Sequence, residues 1–266
     1  MPTVSIGDAE LYYEEAGAGE PLLLVPGLSG VGSFWAPQVA ELKRDFRVVI
    51  HDHRGTGQST HSRITYSVEQ MAGDVLKLMD ALEIDAAHFV GHSTGGAIGQ
   101  VLAIEHPRRL KSLVLSATWA GPDPYFRRVF ESRKQVLQTL GLEAYLKASA
   151  LMLMPPAWIS ANDRALSEQH RAALAAAAPV EITASRIDAI VRHDQRARLG
   201  EIRLPTLVIV AQDDMITPRF YSDELASRVP GAKLVVLDGG GHFAPIATAD
   251  PYNRAVGGFL RGLIGR

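Results

Sequence analysis

Ser93 stands between two glycines in Gly91-His92-Ser93-Thr94-Gly95, directly after the apolar run AHFV and directly before AIGQVLAIEH, whose apolar residues have helical spacing. A serine at such a junction is ordinary as a helix N-cap, where its hydroxyl accepts a backbone N–H. The glycines ask for more. G-x-S-x-G is the nucleophile elbow, a strand-to-helix turn so sharp that a side chain at either flanking position would meet the neighbouring strand or helix. A serine hydroxyl is a poor nucleophile at neutral pH and needs an adjacent base, itself oriented by an acid. With this elbow the chain order is serine, then aspartate or glutamate, then histidine. Two late apolar runs supply both partners at their ends: LVIVAQ leads into Asp213-Asp214-Met215-Ile216-Thr217-Pro218, and LVVLD into Gly239-Gly240-Gly241-His242-Phe243. The chemistry implied is acyl transfer. Serine attacks a carbonyl, histidine takes its proton and returns it to the leaving group, and water repeats the attack.

These side chains need a scaffold that brings strand ends together, and the hydrophobic pattern supplies one. TVSIG and AELYYEEAG look like an antiparallel hairpin. PLLLVPG, FRVVIHD, AHFVGH, LKSLVLSA, PTLVIVAQ and AKLVVLDG are short continuous apolar runs, as strands buried on both faces would be. Helical patterns lie between them. MAGDVLKLMDALEI follows a capping-box candidate at Ser67-Val68-Glu69-Gln70, and NRAVGGFLRGLI comes last. This alternation predicts an α/β fold with a mostly parallel eight-stranded sheet flanked by helices. The rhythm breaks between 120 and 204, where only helix-like segments occur. The expected organisation is a core of 1–119 and 205–266 with a helical cap insertion over 120–204.

Composition narrows the function classes. Of 266 residues 47% are apolar, enough for a full core. The 27 basic and 29 acidic residues are interspersed and leave a net charge of −2, which argues against a nucleic-acid partner and against an anionic-membrane surface. The absence of cysteine excludes disulfides, a thiol nucleophile and cysteine-based zinc sites. The N-terminal residues show no signal-peptide pattern and no apolar run approaches membrane-spanning length, so a cytoplasmic protein is expected. The expected partner is a small-molecule substrate, with no cofactor, no metal, and a homodimer left open.

Asp52-His53-Arg54-Gly55-Thr56-Gly57-Gln58-Ser59 resembles the D-x-R-G-x-G-x-S turn that follows the fourth strand in the α/β-hydrolase fold superfamily, and Asp214 through Pro218 resembles its D-x-x-x-P acid turn. The resemblance spans nearly the whole chain. It implies Ser93 as nucleophile, His242 as base and Asp214 as acid, since the family's aspartate lies four residues before the proline. Asp213 is left as a solvated or turn-capping carboxylate, and Asp123 is the candidate for relatives that take the acid from the preceding strand's end. Two backbone N–H groups would form the oxyanion hole: that of Thr94, after the nucleophile, and that of Leu28, in the loop after PLLLVPG. The family usually writes His-Gly in that loop, whereas this chain has Pro26-Gly27.

His92, Trp35 and Phe243 are candidates for the pocket wall. His51 and His53 are expected to serve structurally, and His61, His88, His106, His170 and His193 to be surface, loop or helix residues. Arg127, Arg128 and Arg133 could bind a substrate carboxylate, although a solvated helix face is the plainer reading. GLSGVGSFWAPQ, DHRGTGQS, YSVEQMA and LMPPAWISAND resemble a narrower group, the aminoacrylate hydrolases of pyrimidine degradation, and 3-oxoadipate enol-lactonase-like hydrolases are similar too. A serine at the elbow points to ordinary ester, lactone or amide and carbamate-type hydrolysis. The alternatives are a cofactor-free lyase or perhydrolase on the same triad, and a non-catalytic ligand-binding member of the fold.

Overall fold

The alternation of short apolar runs with helical segments becomes one twisted sheet with helices on both faces. The computed structural model describes residues 2–28 and 30–265. Its strands are β1 (Thr3–Ser5), β2 (Glu10–Ala16), β3 (Glu20–Val25), β4 (Phe46–His51), β5 (Ala87–His92), β6 (Leu110–Ser116), β7 (Thr206–Ala211) and β8 (Lys233–Leu237). They form one eight-stranded sheet in the order β1-β2-β4-β3-β5-β6-β7-β8. β2 pairs antiparallel with β1 and with β4, and every other pairing is parallel.

The continuous apolar runs are explained by burial on both sides. In β3, Leu22 and Leu24 enter one core layer while Leu23 and Val25 enter the other; in β4, Val48 and Ile50 divide from Val49 in the same way. Side chains alternate across a strand, so a sheet covered on both faces needs apolar residues at every position. One layer is closed by α1 (Ala36–Leu42) and the C-terminal helix Ala249–Arg261 through Leu42, Tyr252, Val256 and Leu260. The other is closed by α2 (Val68–Ala81) and α3 (Thr94–Glu105) through Met71, Val75, Ile98 and Leu102. Ser67 caps α2, its Oγ accepting the Gln70 N–H at 3.0 Å. The reciprocal half of the capping box is not made, because the Gln70 amide donates to Asp74 instead.

Between β6 and β7 the chain makes α4 (Pro124–Leu153), α5 (Pro156–Ala175) and α6 (Val180–Arg192), with no strand among them. α4 turns sharply at Gly141, whose φ of +82° is open to glycine at little cost. Among the described residues, no helix is long and apolar enough to cross a membrane.

From β3 the chain passes to β4 on one side and then to β5 on the other. The loops leaving the carboxyl ends of β3 and β5 therefore diverge, and the crevice between them is where an open α/β sheet presents its ligand site. The first loop carries Leu28 and the second begins at Ser93.

Candidate active site

The turn after β5 has the geometry its glycines imply. Ser93 has φ +53° and ψ −115°, outside the regions a serine adopts without strain. A Cβ on Gly91 would stand 2.2 Å from the Gly95 carbonyl oxygen, and one on Gly95 would stand 2.1 Å from that of Val25. Neither position admits any other residue without moving a backbone. The surroundings hold the strain in place: the Ser93 N–H donates to the Ser116 carbonyl at 2.8 Å, and the Ser93 carbonyl accepts from Thr118 Oγ1 at 2.8 Å. The Ser93 hydroxyl makes no capping hydrogen bond, so the plain N-cap reading fails.

Asp214 and His242 meet although 28 residues apart, with Asp214 Oδ2 2.9 Å from His242 Nδ1. The carboxylate is buried and fully partnered. Oδ1 accepts the N–H groups of Ile216 (2.8 Å) and Thr217 (2.9 Å), and Oδ2 also accepts from Thr217 Oγ1 (2.9 Å). A carboxylate at Nδ1 fixes the tautomer, leaving Nε2 as the free acceptor. Asp213 is not merely solvated: its Oδ1 accepts the Gly241 N–H at 2.8 Å and so ties the acid turn to the loop bearing His242. Asp123 lies elsewhere in role. It caps α4 through the Phe126 N–H at 2.8 Å and accepts from the Tyr221 hydroxyl. Among the described residues no hydrogen bond joins Ser93 to His242, but both line one cavity.

Thr94 is the first residue of α3, so its N–H has no carbonyl of its own helix to bond. The helix N-terminus also favours negative charge there. The Leu28 loop lacks the family's histidine and is braced by other groups. His53 Nε2 lies 3.0 Å from the Pro26 carbonyl, and the Gly30 N–H donates to the Gly27 carbonyl at 3.0 Å. Arg186, from α6, donates to the Leu28 carbonyl from Nη2 (3.1 Å) and Nε (3.3 Å), and to the Arg54 carbonyl from Nη1 (2.9 Å). Burial lowers the Arg186 pKa to about 10, which leaves it cationic at neutral pH.

The cavity measures about 460 Å³, a volume suited to a mid-sized organic ligand. The sheet side contributes Ser93, His92, His242 and Phe243; α4 and α5 contribute Phe130, Arg133, Tyr145 and His170, among others. His92 is buried, with its ring centroid 4.8 Å from that of His242 and stacked on Phe34 at 4.9 Å. Burial, and secondarily the neighbouring His242, holds its pKa well below the ordinary histidine value. Trp35, expected in the pocket wall, is instead fully buried behind it, packed on Phe34 and Tyr252, and does not line the cavity. Phe34, its neighbour, takes that place.

Of the other histidines, His88 differs from expectation, being buried in β5; His193 is buried at the end of α6, and His170, on a helix as expected, faces the cavity. His51 and His53 pack ring to ring at 4.9 Å. Asp52 is engaged instead with the Gly32 and Gln58 N–H groups, at 2.8 Å each. Among the described residues no group of three or more potential ligands is placed to hold a metal ion. Arg186 and Thr217 were not singled out in the sequence. Arg186 carried a signal: with Ile182, Ile187 and Ile190 it lies on the buried stripe of α6.

Comparison with known proteins identifies the family and the fold. The family model described as alpha/beta hydrolase fold matches residues 20–247. A protein of Azorhizobium caulinodans named "Putative carbamate hydrolase RutD" is 39% identical over 259 residues, covering 97% of this chain and 98% of the relative. The crystal structure of the enol-lactonase from Burkholderia xenovorans LB400 is similar with a TM-score of 0.91 and 32% identity, over 98% of this chain and all of that one. That of a hydrolase from Pseudomonas aeruginosa PA01 gives 0.89 and 32%, over 97% of both chains.

Proposed function

This chain belongs to the alpha/beta hydrolase fold family and is a hydrolase; from that premise we propose that it cleaves a small ester, lactone or amide/carbamate-type substrate through an acyl-enzyme on Ser93. The observation that carries the reading is the buried Asp214–His242 pair opening onto the same cavity as a serine held in a strained elbow. In the first step Ser93 Oγ forms a bond to the substrate carbonyl carbon while its proton passes to His242 Nε2. Asp214 stabilises the imidazolium without taking the proton. The carbonyl oxygen becomes an oxyanion facing the N–H groups of Thr94 and Leu28, each worth about 3–4 kcal/mol in the transition state. The tetrahedral intermediate collapses, His242 protonates the leaving group, and water attacks the acyl-enzyme by the same route. The Ser93–His242 contact closes as substrate docks, as catalytic hydrogen bonds commonly do.

Cavity size bears on the substrate. A bare carbamate would fill little of about 460 Å³ lined largely by apolar side chains. An acyl group with a carbon skeleton of its own fits it better. The test is hydrolysis of a panel of short esters, lactones and amides by the wild-type protein and by Ser93→Ala. The variant is expected to fold normally and to lose activity by orders of magnitude, since loss of a triad nucleophile costs about 10⁶-fold. Retention of more than about a hundredth of the wild-type rate contradicts the assignment.

A further inference from the structure

Arg133 is the one permanently charged side chain among the described residues lining the cavity, and no aspartate or glutamate lines it. It sits on the apolar stripe of α4 with Phe126, Val129, Phe130 and Leu137, all buried, and is itself only 8% exposed. A cation there is costly unless paired, yet it forms no salt bridge among the described residues. The aromatic rings of Phe130 and Tyr145 lie against its guanidinium, with centroids at 5.1 and 5.2 Å. Nη2 donates to the Tyr145 hydroxyl (2.9 Å) and to Ser149 Oγ (3.3 Å). The buried Nε–H has no partner among the described residues. The guanidinium is thus oriented by two neutral acceptors and two rings while part of its donor fork remains unused.

We propose that Arg133 is the specificity-determining residue of the site and selects small acyl substrates that also carry a carboxylate. Building on the serine-hydrolase reading, the substrate would place its scissile carbonyl at Ser93 on the sheet side and its carboxylate on Arg133 on the helical side. Apolar walls between the two accommodate the connecting carbons. A carboxylate supplies the counter-charge that the pocket lacks and would accept from Nη1, since Nη2 is already engaged with Tyr145 and Ser149. Arg127 and Arg128, on the same helix, do not line the cavity and take no part.

The test compares 4-nitrophenyl hemisuccinate with 4-nitrophenyl butyrate, which differ chiefly in a terminal carboxylate, on the wild-type protein, Arg133→Met and Arg133→Lys. Wild type is expected to favour the hemisuccinate in kcat/KM, and Arg133→Met to lose that preference by roughly 30-fold or more through the anionic ester alone. Arg133→Lys, which keeps the charge and not the fork, is expected to restore part of it. An arginine needed only for packing would move both esters together, so a preference ratio unchanged in a folded Arg133→Met overturns the proposal, as does a wild type with no preference. Calorimetric binding of pentanoate against pentanol decides the point without catalysis: tighter pentanoate binding, abolished in Arg133→Met, supports it and equal binding refutes it. If neither ester is hydrolysed, the serine-hydrolase reading fails on its own while the binding result still stands for Arg133.

Discussion

Replacing Arg186 by methionine separates loop positioning from fold stability. The guanidinium is buried without a salt bridge among the described residues and makes three hydrogen bonds, two to the Leu28 carbonyl and one to that of Arg54. Methionine leaves those two carbonyls unsatisfied, at about 1–3 kcal/mol each. Against this, burial lowers the arginine's pKa to about 10, a penalty of about 3 kcal/mol on the charged form that disappears with the charge. The opposing effects nearly cancel, so Tm should move by no more than roughly 5–10 °C. Catalysis has no such offset. The Leu28 carbonyl bond holds the residue whose N–H the proposed mechanism assigns to the oxyanion, and full loss of one such donor costs about 10²–10³ in kcat. Because His53 and the Gly27–Gly30 bond still brace the loop, a fall of roughly 10- to 100-fold in kcat is expected, with KM little changed. Steady-state kinetics on a short 4-nitrophenyl ester, beside a thermal melt, decides it. A well-folded Arg186→Met with wild-type kcat, or one altered in KM alone, contradicts a role for Arg186 in holding the Leu28 loop.

Two further outcomes follow from the packing and the buried charges. Gly95→Ala drives a methyl group into the Val25 carbonyl, so it is expected to unfold the protein or abolish activity. Gly73→Ala, with nothing within 4 Å in the middle of α2, should instead stabilise by about 0.5–1 kcal/mol; equal melts for the two variants contradict the elbow geometry. Burial holds His51 and His193 at pKa values of about 4, and His53 and His92 well below 6.5. Below about pH 6.5 the unfolded chain takes up protons that the native state refuses. Stability is therefore lost as pH falls towards 4, by up to about 1.4 kcal/mol per pH unit for each histidine. Urea midpoints at pH 7, 6 and 5 should drop steeply, and an unchanged midpoint at pH 5 contradicts neutral, buried histidines at these positions.

The sheet was legible because burial on both faces forces a continuous apolar run, and the elbow was legible because backbone contact at Gly91 and Gly95 leaves only glycine. Asp214 could be placed because a turn with proline at a fixed offset is a local pattern. The wall of the cavity was not, since it is built by helices whose approach to the sheet no local pattern specifies. Trp35 and Phe34 are adjacent and equally aromatic, and only the short helical turn at Gly32–Trp35 decides which one faces inward. Arg133 read as a solvated residue because charge ordinarily means exposure. Yet its spacing from Phe126, Phe130 and Leu137 already put it on the buried stripe of α4, as that of Arg186 did on α6. A charge in phase with an apolar stripe was the signal for both. The Leu28 loop shows the limit from the other side: a brace from a residue 158 positions away leaves no trace in the local sequence.

The most direct test of the central claim is peptide mapping by mass spectrometry after treatment with a fluorophosphonate. One stoichiometric adduct on Ser93 is expected, with labelling greatly slowed in His242→Ala. No adduct, or an adduct on a different side chain in the folded protein, contradicts it.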